Sequence, residues 1–206
     1  MSVDIEEAVN PLAPTPGRDA TTIDVGPGLL YIAPLGTAEP PDPTDASWPA
    51  AWIELGYTDD GSEFKVEPTV DDINVAEEKE PVKTIVSTVK STLAVSMAQI
   101  TAFNFQVAMG GGTIVTATGY VTFQPPVAGT EKEVMLGWRA LDLTESMIWR
   151  RCKSDGALDI ARKGGNNKAL LPVTFTILVP AGGLRPWKWT AIAAKKGPDG
   201  TPIFGP

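Results

Sequence analysis

Arg162-Lys163-Gly164-Gly165-Asn166-Asn167-Lys168, with glycines set between cations, is the stretch of this sequence closest in type to a phosphate cradle. It lacks the Gly-Lys-Ser/Thr ending of a nucleotide loop and opens no helix, so a hairpin tip is expected. The acidic pairs Asp59-Asp60, Asp71-Asp72 and Glu77-Glu78 are the residue type that glycoside hydrolysis or calcium binding would need. Neighbours on a strand point to opposite faces and no EF-hand spacing is present, so these read as solvated turn residues. Arg150, Arg151 and Lys153 cluster around Cys152; such a group contacts nucleic-acid phosphate or another subunit, and a net charge of −8 favours the subunit. Trp187 and Trp189 share one face of a strand, as a ligand platform or, the reading taken, as core or interface packing.

What is missing excludes more. The chain has no histidine, which removes Ser-His-Asp and Cys-His catalysis and every histidine metal site. The single cysteine, Cys152, closes no intrachain disulfide and builds no thiolate cage, and folding inside a cell is the expectation that follows. No catalytic set, metal or cofactor is expected, and no enzyme. The start, Met1-Ser2-Val3-Asp4-Ile5-Glu6-Glu7, is acidic where a secretory signal is basic and then apolar, so a soluble product is expected. Residues 91–130 carry no charge, yet polar residues and Gly110-Gly111-Gly112 interrupt them before the roughly 20 apolar residues of a membrane helix accumulate.

The elements that must position these residues are mostly strands. Twenty glycines and 19 prolines in 206 residues mark many turns, while 43% hydrophobic residues suffice for a core. Residues 1–26 read as an extended arm rich in Pro, Asp and Glu. Gly28 to Pro34 is a first strand, and Pro40-Pro41-Asp42-Pro43 to Trp48-Pro49 is a loop that prolines keep out of any sheet. Trp52 to Tyr57 is expected to turn at Asp59-Asp60-Gly61 into Glu63 to Glu67 as a hairpin. From Thr84 to Ala98, Ile85, Val89, Leu93, Val95 and Met97 point one way while Thr88, Lys90, Thr92 and Ser96 point the other. Ile100, Phe103 and Val107 then recur at helical spacing until Gly110-Gly111-Gly112. Strands are expected at Thr113 to Phe123, Glu133 to Leu141, Met147 to Lys153, Val173 to Val179 and around Trp187 and Trp189. This is a mainly β chain, an antiparallel sandwich or barrel with one short flanking helix, an extended N-terminal arm and long loops. The division is an arm at 1–26, a domain at 27–194 and a tail at 195–206.

Charge divides along the chain too. Residues 1–80 hold 18 carboxylates and three cations, a balance of −15; residues 81–206 hold seven carboxylates and 14 cations, a balance of +7. Either the acidic part is simply solvated, or opposite surfaces of identical copies meet head to tail, which would leave complementary halves to be satisfied by another copy. The Pro-rich arm and the loop Thr37 to Ala51 are expected to clasp neighbouring subunits and to order only in an assembly.

Leu30-Tyr31-Ile32-Ala33-Pro34-Leu35-Gly36-Thr37-Ala38-Glu39-Pro40 and Trp52-Ile53-Glu54-Leu55-Gly56-Tyr57-Thr58-Asp59-Asp60-Gly61 resemble the opening of major tail tube proteins of long-tailed, siphovirus-type phages, notably those infecting actinobacteria. The order of elements over residues 27–180 is similar to that family's as well. The resemblance implies a tail tube fold, no catalysis, hexameric rings stacked into a tube, and DNA that passes through the channel without specific binding. It also implies tape measure, tail terminator and tail tip proteins as partners, with assembly in the host cytoplasm and a final place in the virion tail. On this view the channel candidates are Glu63, Lys65, Glu67, Thr88, Lys90, Thr92 and Ser96, although an outer solvated face would show the same alternation. The candidates for contact between subunits or rings are Glu77, Glu78, Glu80, Arg150, Arg151, Lys153, Trp187 and Trp189. A monomeric β-sandwich module that binds carbohydrate or a capsid surface is the rival reading.

Overall fold

The computed structural model describes residues 26–42, 44–162 and 168–192; apart from Gly26 the expected arm, the loop core at 163–167 and the tail from 195 lie outside the described residues. Ten strands are described: β1 (Gly28–Pro34), β2 (Ile53–Glu54), β3 (Thr58–Ile73), β4 (Lys83–Met97), β5 (Thr113–Ala117), β6 (Tyr120–Gln124), β7 (Glu133–Ala140), β8 (Glu145–Ser154), β9 (Leu171–Ile177) and β10 (Trp187–Ala191). Among the described residues one α-helix, α1 (Ala102–Ala108), lies between β4 and β5, and a short 3-10 helix spans Ala181–Gly183. The main sheet is antiparallel in the order β2-β1-β7-β8-β9-β4-β3, with β10 also paired to β8, while β5 and β6 form a separate hairpin.

Local sequence explains most of these elements. Leu29 to Ala33 is a continuous apolar run held between Gly28 and Pro34, too short for a helix, so it makes a strand buried on both faces. Thr101 caps α1 by accepting the Asn104 N–H at 3.1 Å, and the chain leaves the helix through Gly110. Leu171, Val173, Phe175 and Ile177 alternate with half-buried residues along β9, the period of a strand with one dry face.

That dry face belongs to a sheet folded over on itself. Phe64 of β3 meets Trp149 of β8 and Trp187 of β10 edge to face, with ring centroids 5.5 and 5.4 Å apart. Since β3 and β8 are separated in the sheet by β9 and β4, this contact requires the sheet to curl around one core. Leu30, Leu93, Leu136, Trp149 and Phe175 fill it, and Val107 and Ala108 of α1 join them. A smaller core on the opposite face holds Tyr31, Ala33, Met135 and Ile148 beneath Trp52.

Four expectations are corrected. Asp59-Asp60-Gly61 is no hairpin turn: it is a bulge inside β3, where the register slips between Asp59 and Ser62 and Gly61 supplies φ +76°. A second bulge leaves Ser87 unpaired, because Thr69 faces Thr88 while Val70 faces Val86. This moves Ile85 onto the face of Thr88 and Lys90 and puts Val86 on the face of Val89. Thr113 to Phe123 is a hairpin rather than one strand. Finally, the loop from Thr37 to Ala51 packs on its own chain. Trp48 stacks on Tyr31 at 4.5 Å, Trp52 donates to the Ala38 carbonyl at 3.0 Å, and Arg139 donates to the Asp45 carbonyl. Trp48 fits because position 137 is glycine, where a Cβ would lie 2.3 Å from its ring.

Candidate assembly surfaces

The longest pairing among the described residues joins β3 and β4 from Thr58 to Ile73 and from Met97 back to Lys83. Only Ser91 to Met97 of β4 pairs onward, with β9. Beyond that point every residue from Lys65 to Lys90 is exposed, so the outer half of the hairpin stands off the body as an arm. An isolated two-stranded hairpin is marginal in water, and an arm of this length calls for something to pack against.

The register gathers the residues expected to line a channel onto one face of that hairpin. Glu63 lies opposite Ala94, Lys65 opposite Thr92, Glu67 opposite Lys90, Thr69 opposite Thr88, and Asp59 opposite Ser96. Lys65 and Glu67 form an ion pair at 2.7 Å. The hydrogen bond from Lys65 and its charge, with that of Lys90, hold the Glu67 carboxyl below its ordinary value, and the same bond raises Lys65. Glu63 and Glu67 offset Lys65 and Lys90 on this face, and Asp59 is paired with Lys168, so a phosphate backbone passing it would meet no net attraction.

The opposite face of the arm continues the dry face of the core into solvent. Val66, Pro68, Val70, Val86 and Val89 follow Phe64 and Leu93 along it, and Val86 and Val89 are each 59% exposed. At the tip, Ile73, Val75 and Val82 are exposed beside Glu77, Glu78 and Glu80, and none of these three carboxylates is in an ion pair among the described residues.

The basic cluster behaves otherwise, for its charges are answered within the chain. Arg150 Nε lies 2.6 Å from Glu39, which also takes Lys188 at 2.5 Å. Burial pushes the Glu39 carboxyl up, but the hydrogen bonds and charges of Arg150 and Lys188 outweigh it and leave the group lowered. Arg151 grips Glu133 through two nitrogens at 2.7 and 2.8 Å, which lowers Glu133 and raises Arg151. Lys153 lies 3.4 Å from Glu131. The Glu39 contacts, with the Lys168–Asp59 pair, show that part of the acidic half is neutralised by the basic half inside one subunit, against the expectation that another copy would do so. Trp187 packs on Phe64, and Trp189 donates to Glu145 at 2.9 Å.

The sequence reading missed the arm beyond Glu67. Alternation at Phe64, Val66 and Val70 across Pro68 was the signal, masked by the proline and by the acidic pairs Asp71-Asp72 and Glu77-Glu78. Chemistry is not what these surfaces offer. Burial pushes the Cys152 thiol up to about 12, which leaves it inert. Among the described residues no group of three or more metal-ligating side chains converges, and no helix is long and apolar enough to cross a membrane. Comparison with curated proteins finds no match. A family model described as phage tail tube protein matches residues 17–198.

Proposed function

The chain belongs to the phage tail tube protein family, a structural rather than an enzymatic family, and from that premise we propose how this subunit builds a siphovirus-type tail. It polymerises as rings, six copies to a ring, and the rings stack into a tube that conducts DNA during ejection. Assembly begins in the host cytoplasm and is completed against tape measure, tail terminator and tail tip proteins.

The observation that carries this reading is the arm. Exposed apolar side chains on a projecting hairpin are a liability in a monomer, because they invite association. In a polymer they are the contact. Fully burying a valine contributes roughly 1.5–3 kcal/mol, so a row of them on each copy supplies several kcal/mol per interface. The contact is heterologous, since the arm and whatever receives it are different surfaces of one chain, and such contacts repeat into rings and tubes.

The neutral, hydroxyl-rich face holding Glu63, Lys65, Glu67, Thr88, Lys90, Thr92 and Ser96 is the wall we assign to the channel. Each phosphate neutralised by an unpaired lysine or arginine would add salt-dependent holding energy. A wall whose lysines stand beside glutamate adds little and lets the duplex move. Electron microscopy of the purified protein across concentration and salt tests the proposal. Rings or tubes with a central hole are expected, whereas single particles of subunit mass at every concentration would refute it.

A further inference from the structure

A cleft of about 750 Å³ opens between α1 and the ends of β1 and β7. Its floor is apolar: Leu35 and Ile53 are exposed there and Phe103 and Val134 half-buried, over the buried Ile32, Val107 and Phe175, and Lys132 stands at its rim. The lysine is exposed and in no ion pair among the described residues, while its neighbours Glu131 and Glu133 are already held by Lys153 and Arg151. The cleft therefore presents an apolar surface with one uncompensated positive charge.

The hairpin tip has the complementary character: Ile73, Val75 and Val82 are exposed, and Glu77, Glu78 and Glu80 outnumber the single cation among them, Lys79, with none of the four in an ion pair among the described residues. The two cannot meet in one subunit. Phe175 faces both Ser154 and Leu93, so Leu93 marks the level of the cleft on β4. From Leu93 the strand runs back to Lys83, away from the cleft, over roughly 33 Å at about 3.3 Å per residue. Tip and cleft thus lie at opposite ends of the sheet, the arrangement a head-to-tail contact requires.

We propose that the tip of one copy seats in this cleft of the next, with Ile73, Val75 and Val82 on the apolar floor and the tip carboxylates facing Lys132. The inference rests on the assembly reading above and specifies its receptor. It also accounts for a lysine left free beside two neutralised glutamates, since opposite charges at the edge of an apolar contact fix its register.

The test uses the full chain carrying Glu78→Cys and Lys132→Cys, assembled and then treated with a short bismaleimide. Cys152 is buried and stays silent. A denaturing gel should show a ladder of dimers, trimers and higher species that is absent from either single variant. Charge reversal provides an independent arm. Glu78→Lys or Lys132→Glu alone should raise the critical concentration for polymerisation about tenfold, and the two together should return it most of the way. Tubes that form normally but give no ladder, or a combined reversal no better than the single ones, would overturn the proposed receptor while leaving the assembly reading intact. An unsubstituted chain that never polymerises would overturn both.

Discussion

Replacing Val86 and Val89 with threonine tests the arm while sparing its fold. Threonine keeps the β-branched shape that suits a strand, and both side chains are 59% exposed in the single subunit, so unfolding stability should change by less than about 0.5 kcal/mol. Once a neighbour covers them the account differs. Each substitution then removes about one methyl equivalent of burial, near 0.8 kcal/mol, and adds a hydroxyl that must find a partner or cost about 1 kcal/mol or more. Where half of that hydroxyl cost is recovered by a new hydrogen bond, the loss is about 1.3 kcal/mol per site. The double variant loses about 2.6 kcal/mol, which raises the critical concentration roughly 70-fold at 1.4 kcal/mol per decade. Sedimentation of a concentration series measures this, and thermal melting of the unpolymerised chain supplies the control. A critical concentration within threefold of the unsubstituted protein would refute the burial of this face.

Three further outcomes follow from the same contacts. Gly137→Ala places a Cβ 2.3 Å from the Trp48 ring, so Trp48 should leave its stack on Tyr31 at a cost of about 2 kcal/mol, seen as a melting point roughly 4–8 °C lower and altered tryptophan fluorescence. Glu39 titrates below its ordinary 4.5, so the stability it contributes is present above that value and is lost as pH falls through its lower folded value. Glu39→Gln should therefore flatten the acid side of the stability profile below about pH 5, and an unchanged profile would show that the Arg150 and Lys188 contacts carry no weight. Glu63→Lys with Glu67→Lys should leave tubes able to assemble but slow genome delivery from particles, more strongly at low salt, because four cations would then line the assigned wall with no carboxylate between them.

Some of this was legible in the residues. The strand at Gly28 to Pro34 could be read because an apolar run lay between two punctuating residues, and α1 because Phe103 and Val107 kept helical spacing up to a glycine stop. The hydroxyl and charged faces of the hairpin were legible as alternation, and the register then brought all seven residues together. The bulges were not. Asp59-Asp60-Gly61 carries the chemistry of a turn and of a bulge alike, and only pairing with β4 decides between them. Ser87 bears no local mark at all, yet it shifts Ile85 to the other face. The loop at Trp48 is fixed by the absence of a side chain at Gly137, far along the sequence. Glu39 is tied to cations more than 100 residues away, which a count of charges by halves cannot reveal.

Hydrogen exchange compared between unpolymerised subunits and assembled tubes tests the central claim most directly, because it reads the arm itself. In the free subunit, amides from Val66 to Lys90 should exchange quickly, since every residue of the outer hairpin is exposed. In tubes the same amides should slow by at least a hundredfold, while β7 and β8 in the core change little. An arm that exchanges equally fast in both states would contradict the account, for it would mean that the subunits join through some other surface.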